Sequence, residues 1–297
     1  MHADGLKLSE LISDADGRGI SLGQLALEQE VRLTFNTSDC LRGHMRLQWR
    51  VMQEAMEAGL QSPRSSRSGL VGFEGSIMNE WVQDTRGTGA PVLKLAARAM
   101  SASCINACMG RIVAAPTAGA CGILPAVIAC AQEDTGCSED SCVDALFAAG
   151  LIGVVISGHI ELAGASGGCQ AECGSAAAMA AAAAVQIYGG SPERSGHAAA
   201  LALKNLLGLV CDPVAGLVEI PCVKRNGFLA VHAWLAAQMA LAGMNSAVPA
   251  DEVFAAMAKI GRSMPEGLRE TSTGGLAVTP TGQEIRSKMD IRYSSLD

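Results

Sequence analysis

Three cysteines in the second half of the chain stand beside residues that let a backbone approach a bulky bound group. Cys169 follows a Ser-Gly-Gly turn, Cys211 precedes Asp-Pro, and Cys222 follows a proline. Glycine has no Cβ to clash with a ligand, and proline fixes the direction of the chain. Soft thiolates favour iron–sulfur clusters, zinc or copper(I) over magnesium or calcium. The pattern suggests an iron–sulfur cluster with one iron open to substrate, and three buried thiols without a ligand are the alternative.

The other cysteines are expected to fill the core. The chain has 11 cysteines, and without a basic, then apolar N-terminal signal we do not expect a disulfide framework. Cys173 lies one helical turn beyond Cys169 and competes with it as a ligand. Cys104 and Cys108 share a helix face, where packing is favoured over chelation. The spacing of Cys130, Cys137 and Cys142 could suit zinc. A zinc site is disfavoured there, because the region has no tight Cys-x-x-Cys pair and no nearby histidine.

Composition predicts an acidic cytoplasmic protein that acts on a small molecule. The net charge is −7 and no basic stripe with interleaved aromatics occurs, which argues against nucleic acid as a partner. The most apolar window, Ala145 to Ser157, is too short to span a bilayer and runs directly into His159 and Glu161. We therefore expect no membrane association, and we expect His159 to be a hydrogen-bonded structural histidine.

The periodicity of the chain predicts an all-α fold whose functional elements are the loops between helices. Ser21 matches a Ser-x-x-Gln capping box, and Leu, Met and Trp recur at helical spacing from Leu41 to Met56. Sustained strand alternation and βαβ spacing are both absent. Further helices are predicted at 92–114, from Ile123, at 228–241 and at 249–264, followed by a polar C-terminal tail.

Three loops between these helices carry groups that suit an anionic substrate. Residues 61–76 are rich in serine and glycine, and form either a solvated linker or a mobile arm that meets an anion. The turn at 114–122 offers glycine amides and Thr117 before a helix N-terminus, which suits a carboxylate. It matches neither a Walker loop nor GxGxxG. A third loop, RETSTGGLAVTPTG, contains Thr271 and Ser272.

Four strings carry a resemblance to a known family: APTAGACGILPAV, GASGGCQAECGSAAAMAAAA, GLVCDPVAGLVEIPCVKRN and LRETSTGGLAVTPTG. They resemble the α-chain of the bacterial iron–sulfur L-serine dehydratases, and the likeness runs in order from Leu8 to Gly282. The resemblance implies that Cys169, Cys211 and Cys222 bind a 4Fe–4S cluster and that Cys173 has a packing role. The helical pattern predicts an N-terminal helical segment at 1–60, and the resemblance implies a dehydratase alpha domain at 61–297. The two are expected to form one continuous domain.

The implied reaction is the conversion of L-serine to pyruvate and ammonia. The iron without a cysteine ligand acts as a Lewis acid on the serine hydroxyl, and a positioned base removes the Cα proton. The residues expected to hold the substrate carboxylate or to line the pocket are Thr117, Gly119, Thr271 and Ser272.

Two departures from the family pattern indicate the two-chain type. Single-chain members carry a further β-type domain with a Ser-Ser-His motif, whereas this chain has Ser65-Ser66-Arg67. Some members end in a cysteine that serves as a fourth ligand, whereas this chain ends in SSLD. We therefore expect a β chain as partner. That chain is a candidate source of the general base. Phe73 stands where another glycine is expected, which leaves the role of its loop open.

Three other functions are alternatives to a serine dehydratase. A desulfidase-like iron–sulfur lyase acting on cysteine is the nearest alternative, and a non-enzymatic iron–sulfur redox sensor belongs to a different class. A pyridoxal-phosphate lyase is disfavoured, because no glycine-rich phosphate cup accompanies Lys94, Lys204 or Lys224.

Overall fold

The structure is a computed structural model, and it describes residues 5–84 and 89–294, with side chains through residue 290. Within these ranges the chain is helical, and one isolated parallel bridge between Cys211 and Arg269 takes the place of any strand. The all-α prediction is confirmed. The helices are α1 (Leu8–Arg18), α2 (Leu22–Thr34), α3 (Ser38–Gln61), α4 (Glu74–Asp84), α5 (Ala90–Ala107), α6 (Ile123–Thr135), α7 (Glu139–Ser157), α8 (Gly164–Gly167), α9 (Ser175–Ile187), α10 (Pro192–Lys204), α11 (Cys222–Leu241), α12 (Ala250–Ser263) and α13 (Pro280–Ser294).

The helix α9 is the centre of the fold. Its alanine-rich run from Ala176 to Ala184 is buried throughout, and α6, α7, α10 and α11 all pack against it. Alanine side chains allow these helices to approach closely, and close packing recovers dispersion contacts as well as hydrophobic burial. A π-helical turn, Gln170–Gly174, joins Cys169 to α9, so this buried central helix positions the first of the three cysteines.

The helix α7 is longer than the apolar window that the sequence suggests. It has 19 residues, and by length and composition it is the one helix in the described part of the chain that passes as a candidate membrane span. Some 67% of its most apolar window is buried in the structure, mainly against α2 and α9. This burial is what a core helix of a globular fold shows.

The helices α2 and α3 form as the predicted Ser21 cap and the predicted apolar stripe indicate. Ser21 accepts a hydrogen bond from the Gln24 amide at 3.1 Å, and α2 begins at the next residue. Trp49 is fully buried within the stripe of α3, which packs against α5 and α7. Gly23 lies against the backbone of Asp144 in α7, so any side chain there would clash.

The helix boundaries differ from the predicted ones where the residue that ends or begins a helix is not a usual capping residue. The helix α5 stops at Ala107 rather than Ala114, because Met109 adopts φ 59° and the Gly110 amide donates to the Ile105 carbonyl at 2.8 Å. This is a Schellman-type ending built on methionine instead of the usual glycine. The helix α11 begins at Cys222, six residues earlier than predicted, and the expected polar tail forms α13. The glycine break predicted after α4 includes residues 85–88, which lie outside the described ranges.

Candidate functional site

The fold brings the three predicted cysteines together from three separate elements. Cys169 precedes a π-helical turn that leads into α9, Cys211 lies in the extended link after α10, and Cys222 is the first residue of α11. All three are buried. Two causes raise the pKa of Cys222 to about 12: burial, which is the larger, and the negative charge of a Cys169 thiolate. The same two causes raise the pKa of Cys211. The thiols therefore repel one another when ionised, and a cation among them would relieve that repulsion.

Cys173 belongs to the same group of buried sulfurs. Its thiol donates a hydrogen bond to Cys169, which lowers the pKa of Cys169 and raises the pKa of Cys173. One ligand atom from each of Cys169, Glu172 and Cys173 lies within 4.8 Å of the others. The packing role of Cys173 stays a prediction, but its position beside Cys169 means that a substitution there also changes the surroundings of the site.

Arg225 links the segments that carry the three cysteines. It stands one turn after Cys222 on α11, donates to the Val210 carbonyl at 3.0 Å, and has an Nη atom 3.7 Å from Asp212 Oδ1. Its guanidinium also donates to Cys169. A fixed positive charge beside buried thiols favours their thiolate forms. This arginine therefore supplies both charge and orientation at the site.

Asn226 fastens the start of α11 to the turn that precedes α6. Its Oδ1 accepts from the Gly122 amide at 2.9 Å, and its Nδ2 donates to the carbonyls of Gly119 at 2.7 Å and Cys222 at 3.0 Å. The side chain is completely buried. The position of Cys222 relative to the 117–122 turn therefore depends on this one amide.

Asn226→Ala is expected to destabilise the fold by about 2–4 kcal/mol, because each buried polar group left unpaired costs roughly 1–3 kcal/mol. Urea unfolding followed by circular dichroism measures the change. The matched control is Asn205→Ala, which removes one partly buried bond to Leu201 and should cost less than about 1 kcal/mol. Equal losses in the two variants would contradict the anchoring role of Asn226.

The turn predicted to bind a carboxylate holds a carboxylate of the chain itself. The Thr117 hydroxyl donates to Glu172, and the Gly119 amide does the same. A Cβ at position 119 would clash with the Glu172 carboxyl group, so a larger residue there would displace that carboxylate. Burial raises the pKa of Glu172, assisted by the charge of Glu270. Substrate binding by Thr117 and Gly119 stays a prediction, and any such substrate would lie beside Glu172.

The second predicted substrate loop is fixed to Cys211. The Cys211 amide donates to the Leu268 carbonyl at 2.9 Å, and the Glu270 amide donates to the Cys211 carbonyl at 2.7 Å. The Ser272 hydroxyl donates to the Pro213 carbonyl at 2.9 Å, and the Thr271 hydroxyl donates to the Glu266 carbonyl at 3.0 Å. This loop therefore covers the Cys211 segment, with Ser272 against it and Thr271 exposed.

Gly164 lies against both Cys211 and Glu270. A Cβ built on Gly164 would lie 2.8 Å from Cys211 Sγ and 3.0 Å from Glu270 Oε2. The sulfur and this second carboxylate therefore meet over a bare stretch of backbone at the start of α8. The missing Cβ of Gly164 is what allows Cys211 and Glu270 to approach this backbone so closely.

The serine-rich loop before α4 is partly packed rather than fully solvated. Ser66 is buried and donates to Glu219 Oε2 at 2.8 Å, and the Ser68 hydroxyl donates to the same oxygen. Glu219 is itself buried in the link between Cys211 and Cys222. The hydroxyls that suggested an anionic ligand therefore meet a protein carboxylate that belongs to the cysteine-bearing hairpin.

Four residues of the site were missed by sequence reasoning. Glu172 and Arg225 each follow a predicted ligand cysteine by three residues, and helical spacing alone would place them beside it. Asn226 and Glu270 give no comparable signal, because their partners are distant in sequence.

Four of the cysteines predicted to be fillers, Cys104, Cys130, Cys137 and Cys142, have their contacts outside this group. Burial raises the pKa of Cys104 to about 12, and its thiol lies 3.5 Å from Glu74. Cys130 is 3.4 Å from an Arg98 nitrogen, and the sulfurs of Cys137 and Cys142 are 4.0 Å apart. His159 lies edge-on to a phenylalanine ring of α12.

Comparison with known proteins assigns the chain to a family. Residues 17–277 match the family model described as serine dehydratase alpha chain. A probable L-serine dehydratase alpha chain of Bacillus subtilis is 43% identical over 283 residues, which cover 95% of this chain and 94% of that one. The L-serine dehydratase alpha chain of Peptoniphilus asaccharolyticus is also 43% identical, covering 93% and 95%.

A longer relative shows the same similarity over part of its length. The L-serine dehydratase of Streptomyces coelicolor is 38% identical over 275 residues, which are 91% of this chain but 60% of that protein. The similarity thus includes both the alpha chains and part of a longer polypeptide, and in all of these comparisons nearly the whole of this chain is matched. The protein with the cysteine site described above belongs to the serine dehydratase alpha chain family.

Proposed function

We propose that this chain is the alpha chain of an L-serine dehydratase, which converts L-serine to pyruvate and ammonia with a 4Fe–4S cluster bound by Cys169, Cys211 and Cys222. One observation carries the proposal: three buried thiols from separate elements converge in a chain of this family. The names of the relatives support L-serine as the substrate. The proposal retains the cytoplasmic location expected from the sequence.

The donor set suits the proposed cluster. Thiolates are the usual protein ligands of iron–sulfur clusters, and the mutual repulsion of three buried thiolates favours a cationic occupant. Arg225 offsets part of the negative charge that three thiolates and sulfide ions would bring. When bound, the cluster would supply a Lewis-acidic iron for the substrate hydroxyl, because three protein ligands leave one position open.

The chain also provides carboxylates for proton transfer. Loss of water from serine requires removal of the Cα proton and a proton for the departing hydroxyl. Glu172 lies beside Cys169 and is oriented by Thr117, while Glu270 lies beside Cys211. We propose that the Glu172 carboxylate removes the Cα proton. A base from the partner chain is the alternative. Water leaves, the aminoacrylate tautomerises to an imine, and hydrolysis of the imine gives pyruvate and ammonia.

A β chain completes the enzyme in this proposal. Two relatives that match this chain over nearly their whole length are named alpha chains, whereas the Streptomyces protein has a further portion in the same polypeptide. In a two-chain enzyme that further portion would be supplied by the partner.

The test is iron and acid-labile sulfide analysis of the anaerobically purified chain with its β chain, followed by EPR spectroscopy and turnover assays with L-serine and L-cysteine. We expect about four irons and four sulfides per alpha chain, a spectrum that changes on addition of L-serine, and pyruvate formation. Sulfide release from L-cysteine without serine turnover would favour a desulfidase. A cluster unresponsive to both amino acids would favour a redox sensor, and no iron after reconstitution would refute the proposal.

A further inference from the structure

An apolar groove of about 720 Å³ lies between α4, α5 and α11. The loop 69–73 forms one wall, and the lining is almost entirely hydrophobic, with Phe73, Ile77, Met100 and Phe228 among its side chains. None of the cysteines lines it, so it is distinct from the cysteine site.

The rim of this groove exposes large hydrophobic side chains in one place. Phe228 is 75% exposed, Ile77 63% and Phe73 43%. Single exposed hydrophobic residues are ordinary on a protein surface, but a contiguous patch around a concave apolar surface marks an interface. Burial of such aromatic residues in a partner's surface supplies much of the affinity of protein–protein contacts.

The groove is continuous with the elements that hold the cysteines. Lys224 lines it, two residues after Cys222, and pairs with Glu74 of α4 at 3.0 Å. The loop that forms its wall is fixed to the Cys211–Cys222 hairpin through the bonds of Ser66 and Ser68 to Glu219. An occupant of the groove would therefore contact the structural supports of the site without filling it.

We propose that the groove is the docking site for an apolar, convex segment of the β chain, an inference that rests on the proposed function. The Streptomyces relative carries about two fifths of its length beyond the part that this chain matches. In that single polypeptide the further portion is held next to the alpha part, where an exposed apolar groove offers a surface for it to pack on. A second copy of this chain fits less well. A symmetric contact sets the same patch against itself, and two concave grooves leave their cavities unfilled.

The test measures binding of the purified β chain to variants of this chain by sedimentation velocity and titration calorimetry. Phe228→Glu and Ile77→Glu are expected to weaken binding at least about 30-fold, because each places a charge in a desolvated apolar contact. Phe35→Glu is the matched control, since Phe35 is 93% exposed at the end of α2, and it should change binding by less than about twofold. Circular dichroism and iron content should be unchanged in all three.

Each other outcome has a defined meaning. Wild-type affinity in both groove variants, together with an active α–β complex, would overturn the docking site and leave the proposed function intact. A wild-type alpha chain that sediments alone as a dimer, and that either groove substitution dissociates, would assign the groove to a self-contact and also overturn the inference. Serine turnover by the alpha chain with no α–β complex would do the same, whereas failure of both turnover and iron binding would refute the proposed function itself.

Discussion

Cys211→Ser is expected to abolish the cluster and serine turnover together. Cys211 is 4% exposed, and its backbone is held on both sides by bonds to Leu268 and Glu270, so the substitution should leave the fold intact. A serine hydroxyl is a poor ligand for iron–sulfur clusters, which prefer soft thiolates. Iron and sulfide should fall from about four of each per chain to near zero, and turnover should become undetectable. Metal analysis after anaerobic reconstitution and a pyruvate assay make the two measurements.

The matched control is Cys137→Ser. Cys137 is partly exposed and lies 4.0 Å from Cys142, at the link between α6 and α7. Its substitution should retain full iron content and turnover. Loss of iron from Cys137→Ser, or its retention in Cys211→Ser, would contradict the assignment of ligand cysteines. Cys173→Ser provides a third comparison, because the sulfur it removes is hydrogen-bonded to Cys169. If Cys173 has only a packing role, iron content should persist, with a changed EPR signal.

The fold was largely predictable because its local signals agree with its global packing. The capping serine at Ser21 and the apolar stripe of α3 depend on residues three or four apart, and the sequence displays these directly. The errors fall where a helix ends without glycine, as at Met109, or begins at a proline, as before Cys222. Methionine in the left-handed region is uncommon, so no composition rule would have placed the end of α5 there.

The site was only half predictable, for a physical reason. The cysteines and the substrate loops were identified by residue type, neighbours and family resemblance, but contacts between them involve residues distant in sequence. Asn226 reaches back more than a hundred residues to Gly119, and Cys211 is bound to the Glu270 segment by two backbone bonds. The turn at Thr117 was identified as an anion site from its chemistry. Its chemistry could not show that Glu172 of the same chain would occupy it.

Glu172→Gln is expected to lower kcat for L-serine by roughly 10²- to 10⁴-fold while the iron and sulfide content is retained. Glutamine keeps the size of the side chain and an oxygen that can accept the Thr117 hydroxyl, so the packing around Gly119 should survive. It cannot take up a proton from Cα, which is the step assigned to Glu172. Steady-state kinetics on the α–β complex, with iron and sulfide analysis of the same sample, separates loss of proton transfer from loss of the cluster.

Glu161→Gln is the control for this experiment. Glu161 lies upstream of Cys169, is exposed and accepts a hydrogen bond from Ser166 at 2.7 Å. Its substitution should change kcat by less than about twofold. Wild-type kcat in Glu172→Gln would show that Glu172 does not remove the Cα proton and would favour a base in the β chain. Loss of iron in Glu172→Gln would instead show that the carboxylate supports the cluster, because its oxygen lies within 4.8 Å of Cys169 Sγ. Proton transfer by Glu172 and support of the cluster by Glu172 are therefore distinguished by whether iron is retained when turnover is lost.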